Sequence, residues 1–180
     1  KATAEGITVG DPNGNHTLGP VVSKVQWDKI QGLIKKGVEE GATLVTGGPG
    51  RPDGLEKGHF VKPTVFGNVT NDMTIAKEEI FGPVVSILGY QSVDEAVKIG
   101  NDTEYGLAAY ISGTDQTKIR EVAAQLRAGQ VSINGGGGDP TAPFGGYKMS
   151  GNGREWGDYG FHEYLETKAM LGYAPKVAAE

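Results

Sequence analysis

The sequence predicts an α/β fold with an open, mostly parallel sheet and flanking helices. Short apolar runs that are typical of strands alternate along the chain with segments of helical periodicity. The predicted helices have about 10 to 14 residues, a length that suits crossovers between parallel strands. With 180 residues, of which 37% are apolar, the chain has the size of one ordinary domain or of a large piece of a bigger protein.

The first strong helix signal begins at Ser23, after a loop that is rich in turn residues ("DPNGNHTLGP", 11–20). Gln26 stands three residues after Ser23, where it would close a capping box. Apolar residues then recur with helical spacing, and Gly41 lies where a left-handed C-cap would end the helix. We therefore predict a helix from Ser23 to about Gly41.

Two predicted strands follow this helix, and from residue 83 onwards the predicted elements alternate as β-α-β-α-β, separated by turn residues or caps. Strands are predicted at 42–46, 59–66, 83–90, 106–112 and 130–134. Helices are predicted from Ser92, with Glu95 as capping partner, to about Asn101, at 115–128 and at 154–162. This alternation is the basis of the α/β prediction.

The end of the chain differs in character from the rest. Residues 135–155 contain too much glycine to form a helix or a strand, and such long loops are often functional. The segment 164–173 predicts a strand that would add to a sheet of another domain or subunit. We accordingly divide the chain into a main portion (1–163), an oligomerisation strand (164–173) and a tail (174–180).

Composition and charge exclude several classes of function. The net charge is −5 and no block of Lys or Arg stands out, which argues against a nucleic-acid or anionic-membrane surface. The chain has no cysteine and its three histidines lie far apart, so we expect neither a metal site nor a cysteine nucleophile within it. No apolar run is long enough to cross a bilayer, and without a charged-then-apolar leader we expect a cytoplasmic location.

The stretch "KEEIFGPVV" (77–85) places two adjacent carboxylates before an apolar run. A glutamate there can accept hydrogen bonds from the two neighbouring hydroxyls of a bound sugar, and Phe81 can pack on a flat heterocycle. The alternative is that Glu78 and Glu79 only cap or solvate the entrance of a strand. The residues themselves leave both interpretations open.

Several motifs in collinear order resemble those of the aldehyde dehydrogenase superfamily, over essentially the whole chain. These motifs are "EEIFGPVV", "NDTEYGLAAYI", "RAGQVSIN" and "APFGGYKMSGNGREWGDYG". The residues from Val9 to Gly48 resemble the family's segment just after its catalytic cysteine. The main portion of the chain would then be the C-terminal part of the family's catalytic domain.

The resemblance implies oxidation of a small-molecule aldehyde to a carboxylic acid with NAD or NADP. In the family, a cysteine thiolate attacks the aldehyde, hydride passes to the nicotinamide, and water activated by a glutamate hydrolyses the thioester. The cysteine, this glutamate and the Rossmann domain would lie upstream of Lys1. We therefore expect no catalytic residue in this chain and no activity from it alone, and cofactor binding would need the remainder of the same polypeptide.

The positions that match the family's pattern are binding positions. Glu79 resembles the glutamate that holds the hydroxyls of the nicotinamide ribose, and Phe81 resembles the aromatic residue beside the nicotinamide. Gln26 and Lys29 resemble helix positions that reach the same ribose region. The wall of the aldehyde pocket would include Phe144, with Leu107 behind it and the loop 135–142 before it.

The substrate loop leaves two alternatives open. Gly135 to Gly138 offer little bulk, which either makes a roomy pocket for extended aldehydes or merely permits unusual φ values. Asp139 either binds a polar substrate group or is an exposed turn aspartate.

Two other accounts of function compete with the dehydrogenase. One is a non-catalytic fragment or family member retained for assembly, and the other is a related reductase of acyl phosphates. The terminal strand favours a homodimer or a homotetramer as the parent assembly.

Overall fold

The computed structural model describes residues 1–172, which belong to two compact units. The first unit is Lys1–Thr103 and the second begins at Glu104. Each unit has its own small sheet. The single continuous sheet that the sequence predicts is therefore divided in the described chain into a three-stranded and a two-stranded piece.

The first unit contains four helices and three strands. In chain order these are α1 (Ala2–Glu5), α2 (Lys24–Glu39), β1 (Thr43–Thr46), β2 (Thr64–Gly67), α3 (Thr74–Lys77), β3 (Val84–Ser86) and α4 (Val93–Asn101). The sheet order is β1-β2-β3; β2 pairs parallel with β3 and antiparallel with β1. The prediction of mixed strand and helix layers is confirmed, while β1 departs from the parallel direction.

Helix α2 begins and ends where its local signals predict. The Ser23 hydroxyl accepts a hydrogen bond from the Gln26 backbone N–H, and Gly41 has a φ of 93° just past the last turn. The predicted capping box is only half formed, because the Gln26 side chain does not return to Ser23. It bonds instead to backbone carbonyls more than fifty positions away.

The core of the first unit lies between α2 and the sheet. Ile30 and Ile34 on α2 and Phe66 on β2 have no exposed surface. The remaining buried apolar residues that pack with them are Ala42, Val61, Val69, Ile75 and Ile80. Ile80 immediately precedes Phe81, so the turn that carries the candidate site is anchored directly in this core.

The strands β2 and β3 are shorter than the sequence predicts. The segment before Thr64 forms no strand, and β3 stops at Ser86 although the apolar run continues to residue 90. The apolar composition of residues 83–90 indicates a buried strand, but Val85 and Ile87 are 55% and 52% exposed, so this indication is wrong for the described unit. The reason is position: β3 is the last strand in the sheet order, and apolar composition alone does not say how many neighbours a strand has.

The second unit contains a parallel pair of strands joined through a helix. Its elements are β4 (Ala108–Ile111), α5 (Gln116–Gln125), β5 (Gln130–Ile133), a 3₁₀ turn (Lys148–Ser150) and α6 (Gly157–His162). Asp115 caps α5 by accepting hydrogen bonds from the backbone N–H groups of Thr117 and Lys118. The helix ends at Gln125, short of the predicted residue 128, because Leu126 is already extended.

The segment after α6 has no strand partner in the described chain. Residues 165–171 carry no regular structure, and Leu171 is 94% exposed. A terminal strand that pairs with another domain or subunit would need that partner in order to form. The assignment of 164–173 as an assembly strand therefore stays a prediction, and its last residue and the tail 174–180 lie outside the described residues.

Candidate functional site

Helix α2 is tied to the turn at Glu79–Phe81 by three side-chain hydrogen bonds. The Gln26 amide nitrogen donates to the carbonyl of Ile80 at 3.1 Å and to that of Phe81 at 3.0 Å. The Lys29 ammonium donates to the carbonyl of Glu79 at 2.8 Å. The four residues predicted from the sequence to bind the cofactor thus form one cluster in the first unit.

Phe81 has an unusual backbone conformation and an exposed ring. Its φ is 54°, in the left-handed region that non-glycine residues rarely adopt, and the residue is 71% exposed. The next residue, Gly82, passes so close to α2 that a Cβ there would stand 2.5 Å from Ile30 Cδ1. The turn therefore approaches the helix closely at Gly82 and presents the Phe81 ring outward.

The carboxylate of Glu79 is exposed and has no internal partner. Within residues 1–172, nothing donates a hydrogen bond or forms an ion pair with it. The neighbouring Glu78 is exposed as well, but its backbone N–H closes the short helix α3 by bonding to Thr74. Of the two glutamates, only Glu79 has its backbone carbonyl held by a side chain of α2. Its carboxylate oxygens accept no hydrogen bond within residues 1–172 and are therefore available to a ligand.

Phe144 lies in a small, tightly joined part of the second unit. Its backbone N–H and carbonyl exchange two hydrogen bonds of 2.7 Å with Glu155. Its ring packs on that of Trp156 at 5.1 Å between centroids. The position of this half-buried aromatic ring is therefore fixed from both the backbone and the side-chain direction.

Arg154, which is not among the site residues predicted from the sequence, organises the glycine-rich loop around Phe144. Its Nη1 donates to the carbonyls of Gly146, Asn152 and Gly153 at 2.9 to 3.0 Å. Its guanidinium also lies over the Tyr147 ring, 5.5 Å from the centroid. A single arginine inside a glycine-rich loop was the available signal, since guanidinium groups often satisfy several carbonyls at once.

Asp139 forms a turn. Its Oδ1 accepts hydrogen bonds from the Thr141 backbone N–H at 2.9 Å and from the Thr141 hydroxyl at 2.7 Å. These bonds hold the pKa of the Asp139 carboxyl below its ordinary value. The geometry matches the turn alternative, while a role of Asp139 toward substrate stays a prediction.

Leu107 and the loop glycines border open space. Leu107 is 44% exposed, and its carbonyl accepts a hydrogen bond from the Gln130 N–H at the start of the β4–β5 pair. A Cβ on Gly135, Gly137 or Gly138 would meet no atom within 4 Å. Among these three, only Gly135 has a positive φ, so unusual backbone conformation does not explain the other two.

The described residues, 1–172, contain neither a cluster of metal ligands nor a helix suited to cross a membrane. In that part of the chain, no three or more His, Asp or Glu side chains gather as metal ligands would. None of its helices combines the length and the apolar character needed to cross a membrane.

The aldehyde dehydrogenase family model matches residues 1–170. The chain therefore belongs to the aldehyde dehydrogenase family. It is 56% identical over 168 residues to putative aldehyde dehydrogenases of Staphylococcus saprophyticus and Staphylococcus haemolyticus. Each alignment covers 93% of this chain and 35% of the relative, so the chain spans about a third of the length of these curated proteins.

Solved structures show the same fold. A mutant of aldehyde dehydrogenase C from Pseudomonas syringae, in complex with NAD+ and octanal, is 54% identical with a TM-score of 0.91. The alignment covers 97% of this chain and 36% of that one. An aldehyde dehydrogenase of Mycobacterium tuberculosis in complex with NAD+ is 45% identical, with a TM-score of 0.88, over 96% of this chain and 36% of that one. The α/β class and the family resemblance are thereby confirmed.

Proposed function

We propose that this chain is part of an NAD(P)-dependent aldehyde dehydrogenase that oxidises an aldehyde to a carboxylic acid. In this proposal the chain supplies contacts to the nicotinamide ribose and a wall of the aldehyde pocket. The observation that carries the proposal is the turn at Glu79–Phe81, which exposes an unpartnered carboxylate and an aromatic ring while α2 holds its backbone.

The chemistry of this turn fits a nicotinamide nucleotide. A ribose offers two adjacent hydroxyl donors, and an ionised carboxylate such as that of Glu79 accepts both in strong, charge-assisted bonds. The exposed Phe81 ring offers an apolar face to a flat heterocycle. NAD(P)+, when bound, accepts the hydride that leaves the aldehyde. The NAD+ complexes of the two similar enzymes support this assignment.

Gln26 and Lys29 border the same turn from α2. The Lys29 ammonium has three N–H donors and uses one of them on the Glu79 carbonyl. The other two are available to donate a hydrogen bond to a ribose hydroxyl. We therefore propose that Lys29 contributes to the ribose site directly.

The second unit supplies the proposed aldehyde wall. Phe144 and Leu107 are apolar, and the open space beside Gly137 and Gly138 suits an extended substrate. The octanal bound by the Pseudomonas syringae enzyme, a long aliphatic aldehyde, supports a preference of this kind. Asp139 would stand at the margin of this wall, with Oδ1 already engaged by its turn.

The reacting groups belong to the remainder of the same polypeptide in this proposal. The chain has no cysteine, so it cannot provide the thiolate nucleophile, and we expect it to be inactive by itself. We further propose a cytoplasmic homodimer or homotetramer in which the segment 164–173 pairs with a neighbouring sheet. A non-catalytic member of the family would assemble in the same way. The following experiment distinguishes such a protein from an active dehydrogenase.

The test is expression of the complete open reading frame, followed by a panel of short and long aldehydes with NAD+ and with NADP+. We expect reduction of at least one cofactor that depends on the aldehyde, with the acid as product. Expression of residues 1–180 alone serves as the control and should show no turnover. A folded full-length protein that carries a cysteine in the family's position but reduces neither cofactor with any aldehyde would refute the proposed activity.

A further inference from the structure

We propose that Gln26 is a positioning residue that acts through the backbone of the turn and does not bind the cofactor by donation. Its side-chain amide holds Phe81 in the left-handed conformation and thereby directs the Glu79 carboxylate and the Phe81 ring. This inference rests on the proposed function, since it concerns how the same turn is kept ready for the nucleotide.

The hydrogen-bonding capacity of Gln26 supports this role. A glutamine amide nitrogen has two donors, and both are used, on the carbonyls of Ile80 and Phe81. Gln26 can therefore donate to a ribose hydroxyl only by releasing one end of the turn. The two accepting carbonyls belong to consecutive residues, so the amide spans the peptide unit between them and fixes its orientation.

The turn needs such a support because its central residue is not glycine. Phe81 has a φ of 54°, a conformation that a phenylalanine holds only when its surroundings impose it. Glycine stands next to it at residue 82, where the close approach to Ile30 excludes a side chain. The glycine of this turn, Gly82, is therefore required by the close contact with α2, while the left-handed position is occupied by Phe81.

The flanks of the turn are fixed separately. The Glu78 N–H bonds to the Thr74 carbonyl on one side, and the Pro83 carbonyl accepts from the Thr64 N–H on the other. Between these anchors, α2 provides the side-chain hydrogen bonds that reach residues 79–81. Loss of the Gln26 amide should therefore leave Glu78 and Pro83 in place, while the backbone of residues 79–81 is no longer held in one orientation.

The first test is Gln26→Glu in the complete protein, which keeps the side-chain shape and removes both donors. We expect the KM and Kd for NAD+ to rise by roughly fivefold or more, because two hydrogen bonds are lost. The KM for the aldehyde and the melting temperature should change little. Asp28→Asn is the matched control on the same helix, since Asp28 is exposed and, among residues 1–172, pairs only with Lys24; it should behave as wild type.

A second test separates positioning from direct contact. Glycine adopts the left-handed conformation without steric cost, so Phe81→Gly removes the need for support at this position. In the Phe81→Gly variant, Gln26→Glu should therefore raise the Kd for NAD+ by clearly less than it does when Phe81 is present. Equal effects in the two backgrounds would mean that Gln26 contacts the cofactor itself and would overturn the inference. If Gln26→Glu fails to fold, Gln26→Met in the same two backgrounds replaces it.

Glu79→Gln distinguishes the two proposals. Unchanged cofactor binding in Glu79→Gln would refute the proposed role of the turn as a whole. Weaker binding in Glu79→Gln, together with unchanged binding in Gln26→Glu, would refute the positioning role alone.

Discussion

Phe144 and Trp156 pack ring against ring, with their centroids 5.1 Å apart and their planes tilted by 36°. Trp156 directly follows Glu155, the residue that exchanges two backbone hydrogen bonds with Phe144. The aromatic contact fixes the ring of Phe144, and the bridge to Glu155 fixes its backbone. If Phe144 forms part of the aldehyde wall, Trp156 determines where that wall stands.

Replacement of Trp156 by leucine should weaken aldehyde binding without affecting the cofactor. An aromatic pair contributes about 0.5 to 1.5 kcal/mol, so the KM for a long aldehyde should rise by about two- to twelvefold. Steady-state kinetics of the complete protein measures this. Trp156→Phe is the control, because it keeps an aromatic partner and meets the same left-handed backbone at that position, where φ is 65°. Equal KM values for the two variants would contradict the role of the ring contact.

The second unit should tolerate alanine at one glycine and not at another. A Cβ on Gly129 would overlap the carbonyl of Gly145, whereas a Cβ on Gly137 would meet nothing within 4 Å. Gly129→Ala should lower the free energy of unfolding by about 1 to 3 kcal/mol or more, the usual range for overpacking. Thermal or urea unfolding of the complete protein measures the effect. Gly137→Ala should be nearly neutral, and equal destabilisation by the two changes would contradict the packing described here.

The open space beside Gly137 leads to a prediction about substrate length. Gly137→Phe should fill that space and reduce kcat/KM for octanal more than for a two- or three-carbon aldehyde. Comparison of the two substrates in one variant cancels any general loss of activity. A uniform decrease for short and long aldehydes would show that this glycine does not border the aldehyde pocket.

Glu40 should make stability depend on pH in the acid range. Its carboxylate accepts hydrogen bonds of 2.7 Å from both the N–H and the hydroxyl of Thr74. The bond from the hydroxyl is the main reason why the pKa of Glu40 lies below its ordinary value of 4.5. A lowered folded-state pKa means that the contribution to stability is complete above 4.5 and is lost as the pH falls through the folded-state value. We expect the melting-temperature difference between wild type and Glu40→Gln to shrink as the pH drops below 4.5. A melting-temperature difference that stays constant from neutral pH to below 4.5 would contradict this assignment.

The helix starts were predictable because their signals are local. Ser23 and Ser92 each accept a hydrogen bond from the backbone N–H three residues later, as the sequence pattern indicates. Strand extent was less predictable, because a strand exists only through its partners. The apolar run at 83–90 gives a strand of three residues at the edge of the described sheet, and β1 turns out antiparallel.

The candidate site was only partly predictable for a similar reason. Family resemblance selects Gln26, Lys29, Glu79 and Phe81, but nothing local indicates that a helix residue bonds to a turn more than fifty positions away. The left-handed conformation of Phe81 was also hidden, since a glycine stands beside it and would be the expected residue there. The three carbonyl contacts of Arg154 depend on the folded path of its loop, which composition does not specify.

The central claim is that the Glu79 carboxylate binds the ribose of the cofactor, and the Kd for NAD+ of Glu79→Gln in the complete protein tests it most directly. Since hydrogen bonds to a charged group are strong, we predict a Kd higher by roughly tenfold or more, together with slower hydride transfer. Glu78→Gln, the adjacent exposed carboxylate, should bind NAD+ as wild type does. A folded Glu79→Gln protein whose Kd and hydride-transfer rate equal those of wild type and of Glu78→Gln would contradict the account.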